Sequence, residues 1–192
     1  MNRTLLRAAR IIISPNTEWL VVADERPNPH AIIALFVLPL ALIPAAGWIL
    51  GLLLFGNSAD GGRDSTPVAI GQIVHSGLIT YFAVVLSVVL CAASIVIVAP
   101  LFSGLRSWPR ALQIAAYSAA PVLIGGLLLI LPNLVFALIV PFFHGLYLQY
   151  AGLQHVLAVK ERDAAEYVAL SSTLLMVFST ALGAAGIGLG II

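Results

Sequence analysis

The sequence predicts an all-α integral membrane protein, with five transmembrane helices preceded by a short N-terminal amphipathic helical segment. Two observations carry that prediction. Hydrophobic residues fill 61% of 192 positions and charged residues only 9%, where a soluble domain carries about a quarter charged. A surface this apolar cannot face water. The charge-free stretches are also of bilayer length, because a helix needs roughly 20 apolar residues to cross a hydrocarbon core about 30 Å thick. Mean hydropathy is +1.07, and a net charge of +1 excludes nucleic acid as a partner.

Residues 1–29 read as a cytoplasmic segment at the membrane surface, and residues 30–192 as the transmembrane domain. In the first, Leu5, Leu6, Ala9, Ile12 and Ile13 recur at helical spacing, while Arg3, Arg7 and Arg10 fall on another face. An apolar stripe beside an arginine stripe describes a helix lying in the interface, its cations toward anionic headgroups. Arg3, Arg7 and Arg10 are therefore the expected membrane-surface contacts. The plainer alternative is a tail helix packed on the bundle with solvated arginines. Ser14-Pro15 starts a second short helix, with Ser as N-cap and Pro at the first helical position. Trp19 suits the headgroup level, and Glu18 and Glu25 are expected to be solvated.

Five spans follow, at about 31–56, 77–101, 111–131, 134–158 and 168–191. The first contains Pro39 and Pro44, which should kink or partly unwind it. Gly47 and Gly51 then form a close-approach pair expected to pack within the bundle. The Gly- and Asp-rich loop Asn57 to Asp64 is an outer hairpin, and its Asp60 and Asp64 lack the spacing of a calcium loop. The charge-free stretch from Thr66 to Phe102 is too long for one span, so its front end, to about Gly77, is expected at the interface. From Ala111 to Val159 no charge appears, which is roughly 73 Å of helix at 1.5 Å per residue. That must be two spans, and Leu131-Pro132-Asn133 supplies the turn. The last span ends in glycines that include Gly186 and Gly190.

Orientation follows from basic residues in the short loops. With the N-terminus inside, the inner segments hold Arg3, Arg7, Arg10, Arg26, Arg106, Arg110, Lys160 and Arg162, against Arg63 outside. The N-terminus is expected in the cytoplasm and the C-terminus outside, with the first span as an uncleaved targeting signal. The single cysteine, Cys91, allows no intrachain disulfide and reads as a packing residue.

No Asp, Glu, Lys or Arg falls within an expected span, whereas proton-coupled carriers and voltage sensors keep an ionisable group there. The fourth span is richest in polar side chains. His144, Tyr147, Gln154 and His155 share roughly one face, and two readings stay open for them: a polar-lined cavity for a headgroup or small solute, or interhelical hydrogen bonding. The two histidines stand about 16 Å apart along the helix, so they cannot share a metal, and no metal or cofactor site is expected. Catalytic patterns such as HExxH, GxSxG or a Walker loop are missing, and no enzyme is expected.

Several residues together resemble the Yip-one domain family, five-pass membrane proteins named for interacting with Ypt/Rab GTPases in eukaryotes. Ser14-Pro15-Asn16-Thr17-Glu18-Trp19, followed by Glu25 and Pro27, looks like that family's Pro–Trp–acidic lead-in. Ala116-Tyr117-Ser118-Ala119-Ala120-Pro121 resembles its tyrosine–proline motif at the third span. The Pro132-Asn133 hairpin and the stretch from Tyr147 to His155, with Ser171-Ser172-Thr173 beyond, are similar to its second half. Pro15, Trp19, Tyr117, Pro121, Pro132 and Asn133 are the motif positions. The longer acidic N-terminal region of eukaryotic members is not matched, so no Rab contact is carried over. The short tail looks like that of a bacterial inner-membrane member. The resemblance implies a fold and no activity.

The expectation is a non-enzymatic inner-membrane module that interacts with membrane lipids, and with another membrane protein or itself. A small permease or channel built on the fourth span, or an assembly subunit of a larger membrane complex, are the alternatives.

Overall fold

The computed structural model describes residues 2–56, 68–102 and 104–188, with side chains for all of these except residues 2–5 and Ile187. The loop Asn57 to Asp64, the Arg3 side chain and Gly190 lie outside the described residues. The described residues form helices and turns, with no strand. Two short helices, α1 (Asn2–Ile13) and α2 (Pro15–Asp24), precede five that are long and apolar enough to cross a membrane. These are α3 (Pro29–Phe55), α4 (Ile70–Leu101), α5 (Trp108–Ile130), α6 (Pro132–Leu157) and α7 (Glu161–Gly188).

α5 is the axis of the bundle. It packs on α3, α4 and α6, and 56% of its apolar window is buried, against 11% for α7, which packs on α4 and α6. Small side chains account for this position. Every residue from Ala111 to Ser118 is buried, and alanines at 111, 115, 116 and 120 let neighbouring backbones approach. α7 leaves Met176, Val177 and Leu182 exposed, as a lipid-facing helix does.

The prolines act through local geometry. Pro39 has no N–H, and its ring would strike the carbonyl four residues back. The helix widens just before it, in a π turn over Ile33–Val37 where Leu38 N–H bonds Ile33 O. Tyr81 of α4 donates to Leu38 O at 3.4 Å. Pro44 lies buried inside the helix and faces Gly126 of α5, where an added Cβ would come 2.6 Å from Pro44 Cα. A Cβ at Gly47 would strike the Gly126 carbonyl, and one at Gly51 would reach Leu129 O at 2.5 Å. The Gly47/Gly51 pair therefore packs within the bundle. Pro121 likewise interrupts α5, whose last turn narrows to a 3-10 helix over Gly126–Ile130 before Pro132 opens α6.

Two span boundaries differ from expectation. α4 is a single helix from Ile70, so residues 70–77 belong to it and not to a separate interfacial stretch. No proline lies between Ile70 and Val98, and isolated glycines do not stop a helix. The 29 residues to Val98 measure about 43 Å, longer than the hydrocarbon core. α7 starts at Glu161, seven residues before its expected span, through a charged first turn. α6 ends on Ala158 in the left-handed region, φ 54°, with Val159 N–H returning to Leu153 O at 3.2 Å.

Gly126→Ala is expected to destabilise the bundle by about 1–3 kcal/mol, since the obstructing atoms are backbone and ring atoms of Pro44. Gly183→Ala, with nothing within 4 Å of the new Cβ, should melt like the parent. Thermal denaturation of the purified chain in detergent, followed by size exclusion, compares the two.

Candidate functional site

α1 and α2 are not spread on a surface. They fold back on each other at Ser14 as a hairpin inserted along the bundle, α2 on α6 and α1 against α5. The burial pattern explains this. Ala8, Ile11, Trp19 and Val22 are fully buried, more apolar area than a helix half-sunk in headgroups would cover. Trp19, expected at headgroup level, instead fills the notch left by Gly152, where a Cβ would come within 2.9 Å of its indole ring. At the hairpin tip His144 Nε2 lies 3.2 Å from Ile12 O. A carbonyl can only accept, so this nitrogen carries the proton. His144 precedes Leu157 by about 20 Å of helix, so the tip reaches half-way along α6.

Insertion brings Arg7 inside, away from the surface role expected for it. Its guanidinium makes a bidentate pair with Glu25, both bonds 2.6 Å, and its Nε lies 3.3 Å from Glu18 Oε1. Glu18 is buried rather than solvated, at 8% exposure. The same guanidinium donates to the Tyr117 hydroxyl at 3.4 Å and sits 5.6 Å from the centre of its ring. Tyr117 in turn meets Phe36 edge to face at 4.8 Å and Trp19 at 6.3 Å. The two aromatic motif positions, far apart in sequence, thus meet each other, and Tyr117 meets the arginine. The Arg7 guanidinium bonded to Glu25 holds the Glu25 carboxyl below its ordinary value of 4.5, with partial burial opposing. Arg7 is itself held above its ordinary value, chiefly by Glu25.

Beside this cluster opens a cleft of about 590 Å³. Arg7, Arg10, Glu25, Arg26, Gln113 and Tyr117 supply its polar wall, and Leu6, Ile32, Leu35 and Phe36 an apolar one. Arg10 and Arg26 are exposed, and among the described residues neither has a carboxylate partner. Gln113 is buried at 2% exposure, and its amide oxygen has no hydrogen-bond partner. Arg110, in contrast, is engaged: it donates to Ala23 O at 3.3 Å and Val156 O at 3.2 Å, the carbonyl ends of α2 and α6.

The polar residues expected together on α6 make separate contacts. His144 holds α1, with Tyr147 6.1 Å from its ring and 45% exposed on the outer face. His155 donates to Ala151 O of its own helix, and Gln154 is half-buried. The buried polar residue there is Gln149, which donates to Ser171 Oγ of α7 at 2.9 Å. Of the motif prolines, Pro15 opens α2, Pro121 lies buried in α5 and Pro132 opens α6 beside an exposed Asn133. Two lateral grooves are mainly apolar. One, of about 230 Å³, includes Ser118, whose buried hydroxyl is unpartnered; the other, of about 480 Å³, runs between α4 and α7 beside His75 and Gly183. Among the described residues no three His, Cys, Asp or Glu side chains group as a metal site.

A family model, the Yip1 domain, matches residues 9–183. No curated protein sequence and no solved structure matches the chain.

The Arg7 cluster sets an acid limit. Because the folded-state value for Glu25 is depressed, its contribution to stability is present above about pH 4.5 and is lost as pH falls through that lower folded value. Glu25→Gln should flatten the fall in melting temperature below pH 4.5. Arg7→Ala, which strands Glu18, should cost on the order of 2–3 kcal/mol at neutral pH, less than a fully buried pair. Melting curves of the three proteins between pH 3 and 7 test this, and parallel curves for parent and Glu25→Gln would contradict it.

Proposed function

We propose that this chain, which belongs to the Yip1 domain family and is a multi-pass membrane protein, performs no chemistry and acts as a lipid- or partner-interacting module in a bacterial inner membrane. Its recognition face is the end of the bundle at which α5 begins and α6 ends. The observation that carries this reading is the charge distribution around the hairpin. The inward cation, Arg7, is neutralised by its own carboxylates, while Arg10 and Arg26 line the open cleft with no ion-pair partner among the described residues. Arg106 and Lys160 border the same end, in the α4–α5 loop and just before α7, where Arg162 is paired with Asp163. In a chain with 9% charged residues, cations spared from internal pairing are available to a ligand.

The basic loops favour a cytoplasmic position for this end, with the C-terminus across the membrane. Alkaline phosphatase fused at the C-terminus should be active, and a green fluorescent fusion there should be dark. The reverse pattern would invert the orientation. Gently extracted from its own membranes and weighed by native mass spectrometry, the chain should keep a defined lipid or a stoichiometric protein partner through detergent exchange. A bare chain would overturn the reading.

A further inference from the structure

We infer that the cleft between α1 and α5 is a binding site for one anionic phospholipid, whose phosphodiester takes Arg10 and Arg26 and whose headgroup hydroxyl takes Gln113. The inference rests on the interaction module proposed above and names its ligand class.

Three features of the cleft converge on that chemistry. Its volume, about 590 Å³, falls within the roughly 300–1,000 Å³ of small-molecule sites. Its charge is unbalanced. Arg7 and Glu25 cancel in their bidentate pair, which leaves Arg10 and Arg26 as uncompensated donors on the wall. A phosphodiester offers two oxygens to them, and guanidinium groups suit that geometry. A zwitterionic headgroup brings an ammonium as well, and the carboxylate in the wall, Glu25, is already committed.

The third feature is Gln113. A buried amide oxygen without a partner is costly, and such groups call for an explanation. Gln113 and Tyr117 sit five and nine residues into α5, about 8 and 14 Å from its start. A hydroxyl on the headgroup, as in a glycerol-capped phosphodiester, donates to that oxygen. The opposite wall suits the remainder of a lipid. Leu35 is 65% exposed and Leu6 55%, and with Ile32 and Phe36 they give the cleft an apolar lining beside its charged residues. A free phosphate ester has no use for that lining.

The test is native mass spectrometry of the delipidated full chain in detergent. It is titrated separately with phosphatidylglycerol, phosphatidylethanolamine and the deacylated headgroup glycerophosphoglycerol. Phosphatidylglycerol should bind at one site at least tenfold tighter than phosphatidylethanolamine, and glycerophosphoglycerol should bind far more weakly. Arg10→Gln with Arg26→Gln should remove the preference, since each lost charge-assisted bond is worth about tenfold. Arg162→Gln, at the same end but outside the cleft and paired with Asp163, should leave it intact. Gln113→Leu, which buries no charge and removes the acceptor, should reduce phosphatidylglycerol binding without lowering the melting temperature; Gln113→Met serves if that variant misfolds. Equal binding of the two lipids, or an equal loss from Arg162→Gln, would overturn the site. Headgroup binding as tight as the lipid would replace the lipid by a free phosphate ester. A chain that keeps a protein partner yet shows no lipid preference sinks this inference alone, whereas loss of both sinks the module itself.

Discussion

The arrangement of the N-terminal segment depends on neutralising one guanidinium. Arg7 sits on the face of α1 that turns toward α5, partly withdrawn from water, and a cation left unpaired there would be destabilising. The structure meets this with two carboxylates from the second helix of the same hairpin and the ring and hydroxyl of Tyr117. Glu18 and Glu25 stand seven residues apart, near two helical turns, so both reach the same side. The ion pairs do more than offset a burial cost. They bind α1 to α2, and Trp19, on the turn next to Glu18, then closes against Gly152. Removing the arginine would leave an acid buried in its place, so the cluster is held as a unit.

The bundle accommodates that hairpin through its irregularities. The π turn over Ile33–Val37 contains Phe36, which meets Tyr117 edge to face. It arises because Pro39 cannot continue the regular ladder. Further along, Pro44 and Gly126 bring α3 and α5 so close that neither position tolerates added atoms. The prolines thereby shape the cleft wall at one level and lock the two helices at another. His144 acts similarly on α6: its ring serves a carbonyl of the last turn of α1 that has no partner within that helix.

Much of this architecture was legible in the sequence, and the reason is physical. Five crossings follow from hydropathy summed over tens of residues, a collective quantity that no single packing contact can reverse. The inward packing of Gly47 and Gly51 was legible for a similar reason, since a missing side chain is useful only where another backbone approaches. The place of the hairpin was not legible. Periodicity shows that α1 has an apolar face, but it does not say whether lipid or protein covers it. Trp19 and Arg7 suit both settings, and their burial is decided by partners distant in sequence, Gly152 and Tyr117. One signal did exist. The chain has only 8 acidic residues, and three of them, Glu18, Asp24 and Glu25, stand beside three arginines in its first 25 positions. So dense a concentration of both signs favours internal pairing over solvated charge. The α6 polar face left two readings open because a shared helical face does not imply a shared neighbour. His144 meets α1, and Tyr147 turns outward.

The balance of charge then bears on what the cleft can do. Ion pairing within the hairpin consumes one cation and two anions, and the end-to-end contacts of α2 and α6 consume a second cation, Arg110. The remaining cleft cations sit on a wall whose other side is aliphatic. Such a surface is poorly matched to water, which suits its charge but not its apolar half, and poorly matched to hydrocarbon, which suits the reverse. An anionic lipid combines both properties, which is why it is the ligand inferred above. On that argument the internal salt bridge and the external binding wall are two consequences of one arrangement. Carboxylates numerous enough to neutralise every arginine would stabilise the hairpin further and leave the cleft with nothing to recognise.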